Sequence, residues 1–209
     1  AANPAAGKAA GDISQFDIQG TLRFNNGLTL LTVTAEELLA IIEHGVSATE
    51  PGSTPGQFPQ VAGLRFSFDP SLPANNRVVN MVVDTSSDTT DVVVQDGELV
   101  GEAARTFRLV TLNFLAGGGD GYPFPSTDRV DLVDSGLPEE LGAVVGVDGR
   151  MADFAEPGSE QDALAEFLQE FHDPVLSGSS TPFAMGEMPI DADERIQNLA
   201  ERLTDTVIP

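Results

Sequence analysis

The stretch from Asn113 to Phe124, NFLAGGGDGYPF, brings together the side chains best suited to bind a ligand. Three glycines follow a strand-like run, with Phe114 before them and Asp120 directly after them. Glycines permit positive φ and let another molecule approach the backbone closely. An aromatic ring can stack on a nucleobase, and a carboxylate can accept hydrogen bonds from ribose hydroxyls. The pattern is compatible with a nucleoside site, although a tight turn or bulge explains the glycines alone more simply.

Few other residues in the sequence are suited to catalysis. There are no cysteines and two histidines, His44 and His172, each near the end of a predicted helix, where imidazole commonly faces the last carbonyls. A hydrolytic metal centre needs several histidine and carboxylate ligands together. No HExxH, GxSxG or P-loop motif occurs, although counting residues does not exclude a Ser-His-Asp triad. Glycine-aspartate repeats bind calcium only when several copies follow one another, and this sequence has a single copy, so a calcium site is not expected.

The elements next to the glycine motif are predicted from periodicity and helix caps. Residues 106–114, TFRLVTLNF, have the composition of a strand that leads into the motif. A helix is predicted directly after residue 33, in which Thr34 is the N-cap, Glu37 completes a capping box and Gly45 ends the helix. The apolar face of this helix comprises Leu38, Leu39, Ile41, Ile42 and Val46.

Further segments have the pattern of β-strands. Residues 13–33 are predicted as strand material interrupted by Gly20 and by a turn at 25–27. Residues 77–84 and 91–100 predict two more strands, the second with an Asp96-Gly97 turn. Residues 60–69 alternate, and the two predicted faces are Leu64, Phe66 and Phe68 against Arg65, Ser67 and Asp69.

The last third of the sequence is predicted to contain loops and two helices. Residues 125–158 are loop-rich, and Ser159 caps a helix at 160–172, after which 177–183 is a linker. The apolar stripe of that helix is Leu164, Phe167, Leu168 and Phe171. Residues 191–203 predict a final amphipathic helix through Ile196, Leu199 and Leu203. Without regular βαβ alternation, the predicted fold class is α+β, with a mixed β-sheet core flanked by helices.

The charge balance of the chain is strongly acidic. Ten lysines and arginines stand against 33 acidic residues, for a net charge of −23. Such a field repels nucleic acid and anionic membranes, so neither is an expected partner. The many apolar runs argue against disorder, and an acidic, lysine-poor surface suits a folded domain in high salt. No apolar run reaches the length of a membrane span, and no signal peptide is recognised.

Several blocks of the sequence resemble the C-terminal domain of 5'-nucleotidases, a group that includes UDP-sugar hydrolases. TFRLVTLNFLAGGGDGYPF is similar to the signature strand and loop of that domain, and GDIS at 11–14 is similar to its opening GDIT. RFNNGLTLLTVTAEELLAIIEHGV and PGQFPQVAGLRFSFD resemble two further family blocks in the family's order. EQDALAEFLQ resembles a helix near the domain's end. The resemblance covers roughly 11–171, and 172–209 is a C-terminal extension of a single domain over 1–209.

The resemblance implies roles for individual residues. Phe114 matches the family's base-stacking aromatic, and Asp120 matches the aspartate that binds ribose hydroxyls. Phe58 matches a second stacking aromatic, so that two rings would sandwich one base, although some members use the position of Val61. Asn26 aligns with a ligand-holding asparagine. The backbone at Gly118 and Gly119 would lie against the ligand.

The sequence departs from the family where phosphate is held. An arginine in an NGGGIR stretch is expected just before GDIS, but this chain has NPAAGKAAGDIS, in which Lys8 is the nearest cation. Arg23 replaces the proline of the family's PFGN block. Arg23 and Arg65 are candidate substitutes for the missing arginine. The resemblance therefore implies nucleoside stacking more directly than a phosphate grip.

The resemblance also implies a division of labour. An N-terminal metallophosphoesterase domain with two divalent metals would hydrolyse phosphate esters of nucleotides, and this chain would recognise the nucleotide without cofactor or catalytic residues of its own. The opening AANPAAGKAAGD is expected to begin a piece of a longer parent, periplasmic or extracellular by family resemblance. Two alternatives stay open. In the first, the chain is an acidic structural or interaction domain that binds no nucleotide. In the second, it is a complete enzyme with an unrecognised site.

Overall fold

The computed structural model describes residues 13–53, 55–86, 89–133, 152–172 and 192–208. In chain order its elements are α1 (Gln15–Thr21), β1 (Leu28–Thr34), α2 (Ala35–Val46), β2 (Leu64–Phe68), β3 (Val78–Ser86), β4 (Thr89–Gln95), β5 (Glu98–Leu99), β6 (Thr106–Leu112), α3 (Asn113–Ala116), β7 (Arg129–Asp131), α4 (Glu160–His172) and β8 (Ile196–Asn198). A 3-10 turn, Gly119–Gly121, follows α3. No helix among these residues is both long and apolar enough to cross a membrane.

The strands form two sheets. One has three strands in the order β6-β1-β7, and the other has five in the order β5-β4-β3-β2-β8. The pairs of the larger sheet are antiparallel except for β2 and β8, which are parallel. The predicted class, α+β with mixed β-sheet and flanking helices, is confirmed. The chain divides into two compact units, the first with described residues 13–31, 110–114, 128–133 and 152–172, and the second with the rest.

In the first unit, residues 15–21 form helix α1 and not the predicted strand. Ser14 is the N-cap, and its backbone amide donates to the Asp17 carboxylate at 2.8 Å in a capping box. Ile18 is buried with Ala152 and Ala165, whereas Phe16 is 82% exposed. Residues two apart share one face of a strand but lie about 200° apart on a helix, so this one-sided burial requires the helix. The strand predicted after residue 27 is confirmed, but the turn lies earlier than the predicted 25–27: the Asn25 amide donates to the Leu22 carbonyl at 3.2 Å, and Asn25 has φ 47°.

Helix α4 confirms the predicted bounds of 160–172, but the predicted apolar stripe is partly wrong. Phe167 and Phe171 are about half exposed, at 46% and 54%, and Asp162 is buried instead. Its carboxylate accepts hydrogen bonds from the backbone amides of Ala152 at 3.2 Å and Gly158 at 3.0 Å. These bonds turn the polar residues of the first helical turn inward, because buried backbone donors need a partner.

In the second unit, the predicted strands form the larger sheet, which packs against α2. The predicted capping box of α2 is confirmed, since the Glu37 amide donates to Thr34 Oγ1 at 3.2 Å and the Thr34 amide donates to Glu37 Oε2 at 2.8 Å. Asp96 and Gly97 have φ of 52° and 82°, which confirms the predicted hairpin turn. The core contains Leu38, Phe66, Phe68, Met81, Val82, Val93 and Val94.

The predicted C-terminal helix is wrong, because residues 196–198 form strand β8 beside β2. The Phe66 amide donates to the Arg195 carbonyl at 2.8 Å, and Leu203 is fully exposed. β8 satisfies backbone groups of β2 that would otherwise form an open sheet edge. Ser67, predicted on the polar face, is fully buried, and its hydroxyl donates to the Asp205 carboxylate. Most of the loop-rich 125–158 and the linker at 177–183 lie outside the described residues.

Candidate functional site

Strand β6 ends at Leu112, directly before the glycine motif, which runs from Asn113 to Phe124. The prediction placed Asn113 and Phe114 in this strand, but they open the short helix α3. The Asn113 amide donates to the Gly27 carbonyl at 2.8 Å, and the Gly118 amide donates to the Leu115 carbonyl at 2.9 Å. The glycines therefore complete a tight turn and not a bulge within a strand.

Positive φ within the motif falls at Gly118, Asp120 and Gly121, with values of 90°, 53° and 75°. Glycine adopts this conformation without steric penalty, whereas Asp120 adopts it at a cost of about 1 to 2 kcal/mol. Such strain persists where the surrounding contacts fix it, and it is concentrated at functional sites. Asp120 is exposed, and its carboxylate makes no hydrogen bond or ion pair with any residue the structure describes. It is therefore available to an external donor.

His44, in the last turn of α2, holds the backbone of Asp120. Its Nε2 atom lies 2.8 Å from the Asp120 carbonyl oxygen. Gly121 leaves room for the imidazole, because a Cβ atom at that position would lie 3.3 Å from His44 Cε1. The prediction treated His44 only as a histidine facing helix-terminal carbonyls, and the structure gives it a partner in the glycine motif instead.

Tyr122 joins the motif to the loop that carries Phe58. It is buried, its hydroxyl donates to the Gln57 carbonyl at 2.6 Å, and its ring lies edge-on to His44 with centroids 4.8 Å apart. Burial and then the nearby Asp120 carboxylate raise the pKa of Tyr122 to about 12. Tyr122 therefore stays protonated and keeps its hydrogen bond at physiological pH.

The loop at 55–59 is held against the end of α2. The Gln57 side-chain amide donates to the His44 carbonyl at 2.9 Å and to Ser47 Oγ at 3.2 Å. Phe58 is half-buried, and its ring packs against Phe68 at 5.9 Å between centroids with the planes tilted by 57°. Phe58 thus anchors its loop to the core, while part of its surface stays accessible.

Gly45 was predicted to end α2, but the helix continues to Val46. A Cβ atom at Gly45 would lie 2.8 Å from Pro59 Cδ and 2.9 Å from the Tyr122 hydroxyl oxygen. Both distances are shorter than van der Waals contact. The glycine is therefore required because the 55–59 loop and Tyr122 approach the helix backbone closely.

Two of the predicted ligand-binding residues lie in the first unit. Phe114 is 52% exposed on α3. Asn26 is engaged by α4, since its backbone amide and its side-chain amide donate to Glu160 Oε1 at 2.8 Å and 3.3 Å. Phe58, Gly118, Gly119 and Asp120 belong to the second unit. The ligand roles of all six residues, including the sandwich of Phe58 and Phe114, stay predictions.

The candidate phosphate-binding cations have separate environments. Arg23 is exposed in the first unit. Arg65, in the second unit, forms an ion pair with Asp84 at 3.5 Å. Lys8 lies outside the described residues. The backbone carbonyl of Val61, the alternative stacking position, accepts a hydrogen bond from Arg195 at 3.4 Å.

Sequence reasoning missed His44, Gln57 and Tyr122 as parts of the site. One available signal was that Tyr122, the single tyrosine of the chain, directly follows the glycine-aspartate motif. Residues 44 and 57 could be linked to it only through tertiary contacts. Among the described residues, no group of three or more histidine and acidic residues is arranged to hold a metal ion.

Comparison with known proteins places the chain in a family. Residues 2–127 match the sequence model described as the C-terminal domain of 5'-nucleotidase. The chain belongs to the 5'-nucleotidase C-terminal domain family. The match includes Asn26, Phe58, Phe114 and Asp120 and ends before α4. The resemblance of EQDALAEFLQ to a family helix therefore stays a prediction.

Relatives in the 5'-nucleotidase family are similar over about half of the chain. The trifunctional nucleotide phosphoesterase YfkN of Bacillus subtilis is 30% identical over 117 residues, which are 56% of this chain and 7% of that protein. UshA of Escherichia coli is 32% identical over 114 residues, 54% of this chain and 17% of that protein. A 5'-nucleotidase precursor from Thermus thermophilus has a similar solved structure, with a TM-score of 0.60 and 26% identity over 89% of this chain and 28% of that one. The matches span 7% to 19% of the curated relatives.

Proposed function

We propose that this chain is the nucleotide-recognition part of a 5'-nucleotidase-like phosphoesterase that hydrolyses phosphate esters of nucleotides. Membership of the 5'-nucleotidase C-terminal domain family supports the substrate class. The observation that carries the proposal is the exposed Asp120 carboxylate, which has no partner among the described residues and sits on a turn with positive φ. A carboxylate in this setting can accept hydrogen bonds from two adjacent ribose hydroxyls.

The proposed recognition assigns one task to each residue. Asp120 binds the ribose hydroxyls, and Gly118 and Gly119 let the ligand approach the backbone. The rings of Phe58 and Phe114 stack on the base, and each stacking contact contributes about 1 to 3 kcal/mol. Asn26 supports the ligand through its remaining hydrogen-bonding capacity. Two stacking contacts therefore predict weak binding by the chain alone, with a dissociation constant in the millimolar to high-micromolar range.

The hydrolytic step is proposed to lie in another part of the parent protein. An N-terminal metallophosphoesterase domain with two divalent metals would supply it, in the periplasm or outside the cell. The highly purified chain is accordingly expected to release no phosphate from AMP, with or without added divalent metals. Measurable turnover would overturn this division of labour.

An NMR titration of the 209-residue chain with adenosine and AMP in molar salt tests the recognition. Ligand-dependent shifts are expected at the amides of 117–121, and Asp120→Asn and Phe114→Ala are each expected to weaken binding about tenfold. Asp96→Asn is the matched control, because Asp96 is also exposed with φ 52° but lies in the β4–β5 turn. Tighter binding of AMP than of adenosine would indicate a phosphate grip. Flat spectra for every nucleoside would favour an acidic structural or interaction domain.

A further inference from the structure

We infer that His44 is a positioning residue: it fixes the backbone of Asp120 for ribose binding and couples it to the loop that carries Phe58. This inference rests on the function proposed above. Its starting point is the 2.8 Å distance between His44 Nε2 and the Asp120 carbonyl oxygen. Both residues lie in the second unit.

The chemistry of the two atoms fixes their roles. A carbonyl oxygen can only accept, so His44 Nε2 must carry the proton. The neutral tautomer protonated at Nδ1 has no donor for this bond. A side chain that replaces His44 must therefore place an N–H group at the position of Nε2, which a glutamine can do and an asparagine cannot.

The hydrogen bond acts on a residue whose conformation needs support. Asp120 has φ 53° and ψ 18°, a region that non-glycine residues adopt rarely. Without the hydrogen bond to His44, other conformations of the 119–121 turn become populated. The carboxylate would then spend less time where ribose hydroxyls can reach it, although no ligand contact is removed.

His44 also belongs to a circuit, called here the His44 network, that three hydrogen bonds and the backbone from Asp120 to Tyr122 close: His44, Gln57, Asp120 and Tyr122. Beyond Asp120 the chain reaches Tyr122, whose hydroxyl donates to the Gln57 carbonyl at 2.6 Å. The Gln57 side chain donates to the His44 carbonyl at 2.9 Å and closes the circuit. Phe58 follows Gln57 directly in the chain. The same network therefore holds both Asp120, the proposed ribose-binding residue, and the loop that carries Phe58, one of the two proposed stacking residues.

The ligand-binding test compares adenosine with 2',3'-dideoxyadenosine, which lacks both ribose hydroxyls. His44→Phe keeps an aromatic ring and removes the donor, His44→Gln restores a donor near Nε2, and His44→Asn places one too close to the backbone. The wild type should bind adenosine about tenfold more tightly than the dideoxy compound. His44→Phe and His44→Asn should lose most of this discrimination, and His44→Gln should keep it. A loss of stability alone would weaken both ligands equally.

A second measurement needs no ligand. Hydrogen exchange of the Gly121 and Tyr122 amides should accelerate about tenfold in His44→Phe and stay within about twofold of wild type in His44→Gln. His172→Phe, at the end of α4, is the control and should leave these amides unchanged. If His44→Phe does not fold, the pair of His44→Gln and His44→Asn gives the same comparison.

The outcomes separate this inference from the proposed function. If the wild type binds no nucleoside, the proposed function fails, and faster exchange in His44→Phe still supports a positioning role. If nucleosides bind but discrimination and exchange are unchanged in His44→Phe and His44→Asn, the positioning role is overturned while the proposed function stands. Equal weakening of both ligands in these two variants also overturns it.

Discussion

His44 and Asp120 are 76 residues apart in the chain, and a 2.8 Å contact between His44 Nε2 and the Asp120 carbonyl oxygen joins them. One end of this contact is the last turn of a well-capped helix, and the other is a glycine-rich turn. A rigid element thereby supports a residue in an unfavourable backbone conformation. The ribose-binding role proposed for Asp120 would need support of this kind, because the geometry of a binding residue on a loop must exist before the ligand arrives.

The first prediction concerns the alkaline limit of stability. The pKa of Tyr122 is about 12 in the folded chain against an ordinary value of 10.0. Between these two pH values the folded state holds the phenol proton more tightly than the unfolded state does. The contribution of Tyr122 to the free energy of unfolding is therefore fully present below pH 10, and about 2 kcal/mol of it is lost as the pH rises toward 12. Denaturant unfolding at a series of pH values measures it.

Because Tyr122 is the only tyrosine and there is no tryptophan, ultraviolet absorbance reports its ionisation directly. Tyr122→Phe is the control and should remove most of this pH dependence. A phenol that titrates near pH 10 in the folded protein would contradict the buried, hydrogen-bonded state.

The second prediction concerns Gly121. Gly121→Ala imposes positive φ on alanine and brings a Cβ atom to 3.3 Å from His44. The free energy of unfolding should therefore decrease by about 2 kcal/mol. Gly52→Ala carries the same backbone penalty, with φ 74° and no atom within 4 Å of its Cβ. It should cost about 1 kcal/mol and leave nucleoside binding unchanged, whereas Gly121→Ala should weaken adenosine binding. Equal effects of the two variants would show that His44 is not displaced.

The third prediction contrasts two helical glycines. Gly45→Ala places a Cβ atom 2.8 Å from Pro59 Cδ. We expect the free energy of unfolding to fall by about 2 to 3 kcal/mol, because the Pro59 ring and the backbone of α2 must move apart. Gly20→Ala, in α1, meets nothing within 4 Å and should gain about 0.5 to 1 kcal/mol from the better helix propensity of alanine. Thermal unfolding measures both. A neutral Gly45→Ala would mean that the 55–59 loop does not pack on α2 as described.

The fourth prediction concerns the C-terminal segment. The Asp205 carboxylate accepts hydrogen bonds from the Ser67 hydroxyl and from the Asn80 side-chain amide, the latter at 2.7 Å. Asp205→Ala leaves the buried Ser67 hydroxyl without this acceptor and should destabilise the chain by about 1 to 3 kcal/mol. Glu201→Ala, at an exposed position of the same segment, should change stability by less than about 0.5 kcal/mol. Similar losses in both variants would argue against β8 and its partners as part of the core.

The sequence predicted the strands and helices whose signals are local. The Thr34 and Glu37 capping box, the alternation at 64–68 and the Asp96-Gly97 turn all gave the observed elements. Each depends on hydrogen bonds or side-chain periodicity within a few residues. The glycine-aspartate motif, read with its flanking aromatics, indicated the family that residues 2–127 match.

Local patterns failed where distant residues decide burial. The segment at 191–203 has a helical apolar period, yet the open edge of β2 draws residues 196–198 into a strand. The predicted apolar stripe of α4 is about half exposed at Phe167 and Phe171, because hydrogen bonds of Asp162 orient the helix differently. In both cases an unsatisfied backbone group elsewhere outweighs intrinsic propensity.

The sequence by itself determined the fold class, most of the strands and the glycine-aspartate part of the candidate site. Only the tertiary structure decided that His44 contacts the Asp120 carbonyl and that Tyr122 connects the glycine motif to the Phe58 loop. The reason is that a hydrogen bond between residues 76 or 65 positions apart has no periodicity or local spacing to announce it. Its existence depends on where helix, loop and turn come together when the chain buries its apolar surface.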